Sequence, residues 1–278
     1  MSGGDEGRIA GLTIYPIKGC AGVTLQTSRL GVQGLEHDRR WMIVEPDGTF
    51  VTQREVPKLA LVQATPDPAG LLLRLDGTTQ EVSLPSRPLH LGVEVWGDEV
   101  EAQLAPEEVN FALSDFLGRP VKLVRFPDET VRPCDPDYAP PGSHTGFADG
   151  FPVLVTTTGS LDELNAALSA AGEPPVPMTR FRPNIVIEGA GPGAEDRHGS
   201  LAIDAGPRLL LVKRCDRCVV TTVDQYTGQK TGKEPLRTLA RLRRNLRTGG
   251  AWFGQNAVPV LQRGETVNLE VGMSCRFT

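Results

Sequence analysis

RCDRCVVTTVD, residues 214–224, places two thiols among cationic side chains. Cys215 and Cys218 lie beside Lys213, Arg214 and Arg217 in the sequence. Neighbouring cations favour the thiolate form of a cysteine, which is a nucleophile and a ligand for soft metals. The β-branched residues that follow Cys218 predict a strand over 218–224. The stretch therefore predicts a reactive thiolate on or beside a β-strand, with Cys215 as a packed neighbour.

Two other kinds of cysteine site fit this sequence poorly. A structural zinc site needs a second pair of ligands, but Cys20, Cys134 and Cys275 stand alone and no two histidines have zinc-binding spacing. A thioredoxin-like dithiol would open a helix after its second cysteine, where this sequence continues with Val-Val-Thr-Thr-Val. A further alternative, a buried cysteine that packs as a small hydrophobic residue, stays open.

Composition limits the class of protein. A chain of 278 residues is long enough for one large or two modest domains. Its net charge of −5 argues against a general nucleic-acid binder. Five cysteines without a regular framework are typical of a reducing compartment. We find neither a secretion signal nor an apolar run of about 18 residues, and we therefore expect a cytoplasmic protein without a membrane span.

Short β-rich segments separated by turns dominate residues 9–125. An example is the pair of segments 41–45 and 49–52 on either side of Pro46-Asp47-Gly48, a pattern that predicts a hairpin. One helix interrupts them, because Pro106 suits a helical first turn and Gly118 suits a helix end. An antiparallel barrel or meander with one packing helix is expected in this half.

The second half alternates strands with two helices. The capping pattern Ser160-x-x-Glu163 and Gly172 predict a helix that begins at Ser160, and Pro235 with Gly249 predicts another over 235–248. We expect the leucines of the latter helix to face inward: Leu236, Leu239, Leu242 and Leu246. The Pro- and Gly-rich residues 126–150 predict a linker, which is either a binding loop or disordered. The fold class is thus α+β, mostly β, with two β-barrel-like domains and a few helices.

Six motifs occur in order along the chain. They are IYPIKGC (14–20), DRRW (38–41), FRPNIVI (181–187), RCVVTTVD (217–224), KEPLRTL (233–239) and FGQ (253–255). Together they resemble the MOSC domain, the molybdenum-cofactor sulfurase C-terminal domain, and within it the group of the mitochondrial amidoxime-reducing component and its bacterial relatives. The resemblance implies an N-terminal MOSC β-barrel domain over 8–127 and a MOSC domain with a molybdenum-cofactor site over 140–272.

The resemblance also implies a set of site residues. The metal ligand and catalytic residue falls on Cys218. The residues that bind the cofactor's pterin and phosphate fall on Lys18, Gly19, Arg39, Thr157, Thr158, Arg182, Asn184 and Asp216. Relatives have serine where this chain has Gly19, Thr157 and Asp216. A carboxylate at 216 would repel anionic substrates unless it pairs with a cation such as Arg217.

The implied activity is that of a molybdenum-cofactor oxidoreductase that reduces small N-hydroxylated compounds, such as amidoximes and hydroxylamines. Electrons would come from a separate donor protein, which is a ferredoxin, a flavoprotein or a b-type cytochrome. The alternative is a non-catalytic carrier of the molybdenum cofactor or a sulfur-relay protein. The donor could dock on the basic helix at 235–248, although a solvated helix face explains the same arginines: Arg237, Arg241, Arg243, Arg244 and Arg247.

Overall fold

The computed structural model describes residues 5–84, 86–204, 206–246 and 248–278. The strands before residue 126 are β1 (Glu6–Ile14), β2 (Val23–Leu25), β3 (Thr27–Gly31), β4 (Gly34–Leu35), β5 (Trp41–Val44), β6 (Gln63–Asp67), β7 (Gly70–Leu75), β8 (Thr78–Ser83), β9 (His90–Val95), β10 (Asp98–Leu104) and β11 (Lys122–Arg125). Helix α1 (Glu107–Leu117) and a 3-10 helix at Pro57–Leu61 complete this part.

The remainder of the chain contains the strands β12 (Arg132–Pro133), β13 (His144–Thr145), β14 (Val153–Thr157), β15 (Ile185–Glu188), β16 (Ser200–Ile203), β17 (Arg208–Arg217), β18 (Val223–Asp224), β19 (Gln229–Lys230), β20 (Ala251–Pro259), β21 (Val267–Glu270) and β22 (Ser274–Phe277). Its helices are α2 (Thr158–Ala170), α3 (Ala194–Arg197) and α4 (Leu236–Leu242), with 3-10 helices at Met178–Phe181 and Val219–Thr222.

Seven strands close into a barrel in the order β15-β14-β20-β17-β16-β22-β1. Strand β1 closes it, because it pairs antiparallel with β22 on one side and with β15 on the other. Inward-facing residues such as Ile9, Leu12 and Ile187 are fully buried, and burying a side chain of this size contributes about 1.5–3 kcal/mol. Residues near both ends of the chain therefore share one core.

Strands β5 to β11 form two smaller antiparallel sheets, ordered β5-β11-β10-β9 and β6-β7-β8. Helix α1 packs on them through Val109, Leu113 and Phe116. The helix ends as predicted at Gly118, which adopts φ 70°, a left-handed conformation that glycine reaches without strain. These sheets and the barrel confirm the mostly β, α+β class with barrel-like domains. The domain limits 8–127 and 140–272 stay a prediction.

Helix α2 begins three residues earlier than its capping pattern predicted. Thr157 is the N-cap, and its hydroxyl accepts a hydrogen bond from the Ser160 backbone N–H at 3.1 Å. Ser160 instead lies inside the helix and is buried, where its hydroxyl accepts from the backbone N–H of Gly193 at 2.9 Å. The prediction of Ser160 as N-cap is wrong because a second hydroxyl residue, three positions earlier, satisfies the first turn.

Helix α4 ends at Leu242 rather than at 248. The chain turns at Arg243, which is 7% exposed and binds Ser160, Glu163 and Asp196 at 2.7–3.0 Å. Leu242 and Leu246 are 43% and 91% exposed, so the expectation that they face inward is wrong. Arg247 lies outside the described residues.

Residues 126–150 are ordered by Arg132, which is 4% exposed. Its guanidinium donates to the backbone carbonyls of Gly146, Ala148 and Asp149 and pairs with Asp98 at 2.7 Å. Charge-assisted hydrogen bonds of this kind are stronger than neutral ones. Residues 126–150 therefore form an ordered loop that is held against the β9–β10 hairpin. None of the described helices is long and apolar enough to cross a membrane.

Candidate functional site

A cavity of about 410 Å³ lies where the end of β17 faces the N-terminal sheets. It contains Cys218 and six of the eight residues that were predicted to bind a cofactor: Lys18, Gly19, Arg39, Arg182, Asn184 and Asp216. Thr157 and Thr158 do not line it. The wall includes segments from both halves of the chain, so the fold brings together residues as distant in sequence as Lys18 and Asn256.

Cys218 lies immediately after the last residue of β17. The predicted strand over 218–224 is wrong for most of its length, because Val219–Thr222 form a single 3-10 turn that starts at Cys218. The hydroxyls of Thr221 and Thr222 donate to the carbonyls of Cys218 and Val219 at 3.0 and 2.8 Å. Such local bonds compete with strand pairing. The turn leaves the Cys218 thiol half-buried in the cavity wall.

Arg217 donates a hydrogen bond to Cys215 rather than to Asp216. Its Nη1 donates to Cys215 Sγ at 2.8 Å and its Nη2 donates to the Phe181 carbonyl at 2.7 Å. Burial raises the pKa of Cys215, and Arg217 opposes that shift. Asp216 instead accepts a hydrogen bond from Asn245 Nδ2 at 2.8 Å. Arg217 is therefore not the cation that pairs with Asp216, and repulsion of anionic substrates by this carboxylate stays a prediction.

Lys18 and Gly19 form another side of the cavity. The Lys18 ammonium, in a residue that is 8% exposed, donates to the Phe147 carbonyl at 2.9 Å and to Asp149. Burial lowers the pKa of Lys18, and the charge of Asp149 opposes that shift. Gly19 has φ 77°, a left-handed value that favours glycine. This backbone conformation gives a local reason for glycine at position 19.

Arg39 and Asn184 connect the barrel to the N-terminal part. Arg39 Nη1 binds Asp38 Oδ2 at 2.5 Å and Asn184 Oδ1 at 2.9 Å. Asn184 Oδ1 also accepts from the Leu154 backbone N–H, and its Nδ2 donates to the Thr13 carbonyl. Both side chains thus form hydrogen bonds within the protein and contribute to the fold independently of a ligand.

Arg182 has donor capacity that the protein does not use. Its guanidinium stacks on Tyr15 at 4.2 Å and donates from Nη1 to Gln225 Oε1 at 3.2 Å. Its Nη2 is buried and has no hydrogen-bond partner within the described ranges. An unpaired buried donor is costly, and an anionic ligand in the cavity would satisfy it.

The charge of the cavity wall also suits an anion. Among the described lining residues, seven carry a positive side chain and two a carboxylate. The cations are Lys18, Arg39, Arg54, Arg182, Lys213, Arg214 and Arg217. Excess positive charge in a cleft with low-dielectric walls concentrates anions. A phosphate-bearing cofactor with a thiolate-seeking metal fits this donor set.

The sequence did not identify Trp96 and Asp149 as cavity residues. Both line the cavity, and Asp149 accepts hydrogen bonds from Lys18 and from Trp96 Nε1. Trp96 precedes a glycine between two β-rich segments. A bulky residue in that position, where Asn or Asp is usual, is the one signal that could have indicated it.

Thr157 belongs to a buried polar cluster behind the cavity. Besides capping α2, its hydroxyl contacts Glu195 Oε2 at 2.9 Å. Glu195 is fully buried, its Oε1 accepts no hydrogen bond from the described residues, and Arg243 Nη1 lies 3.8 Å from it. Burial raises the pKa of Glu195, because a charged carboxylate is poorly solvated there.

We expect Glu195→Gln to flatten the pH dependence of stability. Because the folded-state pKa is raised, the fold favours the protonated acid, and the wild type loses stability as the pH rises from the unfolded-state value of about 4.3 through the folded-state value. The glutamine variant has no such titration and should be at least as stable as the wild type at pH 7. Urea unfolding between pH 4 and 8 measures this. A lower free energy of unfolding for the variant than for the wild type at pH 7 would show that Glu195 is charged and paired.

The comparisons with known proteins agree with the motifs. The family models of the MOSC N-terminal beta barrel domain and the MOSC domain match residues 6–120 and 142–275. The human mitochondrial amidoxime-reducing component 1 is 36% identical over 250 residues, which cover 85% of this chain and 72% of that protein. The Xenopus laevis component 1 is 30% identical and covers 94% and 81%.

A second kind of relative also matches. The rice (Oryza sativa subsp. japonica) molybdenum cofactor sulfurase is 31% identical over 261 residues, which cover 87% of this chain but 31% of that longer protein. The order of the two domain models along the chain and the identity over most of its length confirm the resemblance. The chain belongs to the family of MOSC-domain proteins.

Proposed function

We propose that this protein is a molybdenum-cofactor oxidoreductase that reduces N-hydroxylated compounds, such as amidoximes and hydroxylamines. The observation that carries the proposal is the placement of the Cys218 thiol in a cation-lined cavity with an unsatisfied arginine donor. The names of its relatives supply the reaction, since they are amidoxime-reducing components. The cytoplasm remains our proposal for its location, on the sequence argument alone.

The residues of the cavity divide into two groups. Cys218 would hold the metal, because soft thiolate ligands suit such a centre. Lys18, Arg39 and Arg182 would hold the anionic end of the cofactor, and the backbone of Gly19 would lie against it. When bound, the molybdenum cofactor would supply the two-electron chemistry and accept the oxygen atom. Asn184 and Asp216 would contribute polar contacts to the same pocket.

The remaining tasks fall to the protein. Reduction of an N–OH group takes two electrons and two protons, breaks the N–O bond and releases water. The low-dielectric walls of the cavity strengthen the electrostatic contacts inside. Lys18, which is held by the Phe147 carbonyl and Asp149, would keep its positive charge at Nζ against the anionic end of the cofactor.

A metal analysis combined with a reductase assay tests the proposal. The purified protein, with its cofactor, should contain molybdenum and should convert benzamidoxime to benzamidine when reduced methyl viologen supplies electrons. Bound molybdenum without reduction of any N-hydroxylated compound would favour the alternative, a cofactor carrier or sulfur-relay protein, which the likeness to the rice sulfurase supports.

We also propose that a separate, acidic electron donor docks beside the Cys218 cavity. Arg241 and Arg244 are exposed next to the exposed Leu242 and Leu246, and Asn245 joins this loop to Asp216 in the cavity wall. Apolar side chains with a charged rim are typical of protein interfaces. The buried Arg243 is excluded from the face, contrary to the sequence expectation.

Reversal of Arg241 and Arg244 to glutamate should slow reduction by a plant-type ferredoxin about 10-fold at low salt, since exposed charges steer association. It should also remove most of the dependence of the reduction rate on salt. The wild-type rate falls as salt rises because exposed charges are screened over about 10 Å at 0.1 M salt. Stopped-flow reduction against ionic strength measures both effects. The matched control is Arg74→Glu/Arg87→Glu, which reverses exposed charges elsewhere. Equal effects of the two double variants would exclude this face.

A further inference from the structure

Trp96 has a backbone conformation that is unusual for its size. It occupies the two-residue turn between β9 and β10, where Val95 pairs with Asp98. Trp96 has φ 55° and Gly97 has φ 91°. Turns with positive φ at both positions favour Asn, Asp and Gly, and a bulky residue there is an outlier that points to a function.

The indole is held in a defined position at the cavity mouth. Its Nε1 donates to Asp149 Oδ1 at 3.1 Å, and its ring meets Phe50 edge to face at 4.9 Å. The turn itself is anchored, because Asp98 pairs with the buried Arg132 at 2.7 Å. A side chain fixed by its neighbours in this way is preorganised for contact with a ligand.

Part of the indole remains open. Trp96 is 45% exposed although it lines the same cavity as Cys218. The Arg54 guanidinium lies 4.9 Å from its ring centre, and Arg54 is itself exposed. Tryptophan rings and arginine guanidinium planes both stack on flat aromatic groups. The mouth of the cavity thus presents a stacked tryptophan–arginine pair, both members of which are exposed.

We propose that Trp96 and Arg54 bind the aryl group of flat, uncharged N-hydroxylated substrates and so determine which substrates reach Cys218. This inference rests on the proposed function and deepens it by naming the substrate class. Arg54, which is exposed at the mouth and is not assigned to the cofactor, disfavours substrates that carry a positive charge. An aryl amidoxime satisfies both requirements, whereas an alkyl amidoxime lacks the ring and a protonated alkylhydroxylamine has the wrong charge.

Benzamidoxime and acetamidoxime form the test pair, because they share the reacting group and differ in the ring. In Trp96→Asn, kcat/KM for benzamidoxime should fall about 3- to 10-fold, the range that one aromatic contact provides, mainly through KM. The value for acetamidoxime should stay within about twofold. Asparagine suits the turn, so the variant should fold, and Trp96→Phe should restore most of the aryl preference. The control Tyr226→Ala removes another exposed aromatic residue and should leave kcat/KM for both substrates unchanged.

A binding measurement separates this inference from the proposed function. Saturation-transfer NMR on the cofactor-loaded protein without an electron donor should show stronger contact with benzamidoxime than with acetamidoxime, and Trp96→Asn should abolish the difference. If binding depends on Trp96 but no variant reduces either compound, the aryl site stands and the reductase proposal fails. If Trp96→Asn reduced each compound with the same kcat/KM as the wild type, the aryl site would be overturned.

Discussion

Cys218→Ala should eliminate molybdenum-dependent reductase activity, whereas Cys215→Ala should have a much smaller effect. Cys218 follows the last residue of β17, is half-buried and lines the cavity. Loss of a residue that only supports a metal ligand costs about 10–100-fold, so loss of the ligand itself should cost more than about 100-fold. Cys215 is instead paired with Arg217, and its loss should lower activity less than about 10-fold.

Molybdenum content and reduction of benzamidoxime by methyl viologen should be measured on the same preparations, since a misfolded variant would lose both. Cys215→Ser is the matched control, because serine keeps an acceptor for Arg217 and should retain the melting temperature of the wild type. Equal loss of metal in the Cys215 and Cys218 variants would identify a dithiol site. That result would remove the single-thiolate mechanism.

Arg182→Gly should weaken retention of the cofactor about 10- to 150-fold, the equivalent of about 1.5–3 kcal/mol for a charge-assisted hydrogen bond. The Nη2 atom of Arg182 has no partner in the described part of the chain, so the protein without cofactor loses only the side chain's contacts with Tyr15 and Gln225 when it is removed. Glycine is the suitable replacement, because Arg182 has φ 53° and glycine adopts that conformation without strain. Dialysis followed by metal analysis measures retention, and thermal unfolding of the cofactor-free protein measures stability.

Arg39→Ala should behave differently, although the sequence placed both arginines in one site. Its removal leaves the buried Asp38 without its cationic partner, and breaking a buried pair costs about 3–5 kcal/mol. We therefore expect Arg39→Ala to destabilise the cofactor-free protein strongly.

Arg182→Lys should restore retention of the cofactor only in part if the contact is bidentate. Unchanged cofactor content in Arg182→Gly would remove this residue from the site.

Local patterns in the sequence were sufficient where the interaction that decides a structure is itself local. Gly118 ends α1 because the left-handed conformation is a property of that residue. Short alternating segments with turns between them predicted the mostly β fold, since side chains point to opposite faces of a strand in succession. Lys18, Arg182 and Cys218 were named as site residues through the resemblance to the MOSC domain, and the structure collects them in one cavity.

Tertiary structure decided which partner each polar group takes. Arg217 is adjacent to Cys218 in the chain but binds Cys215 and Phe181, and Arg243 leaves the predicted helix for acidic residues on α2 and α3. Thr157 caps a helix and contacts Glu195 outside the cavity. Sequence establishes the donors and acceptors that are present. Their pairing depends on which buried groups the folded chain brings within about 3 Å, since each must find a partner away from water.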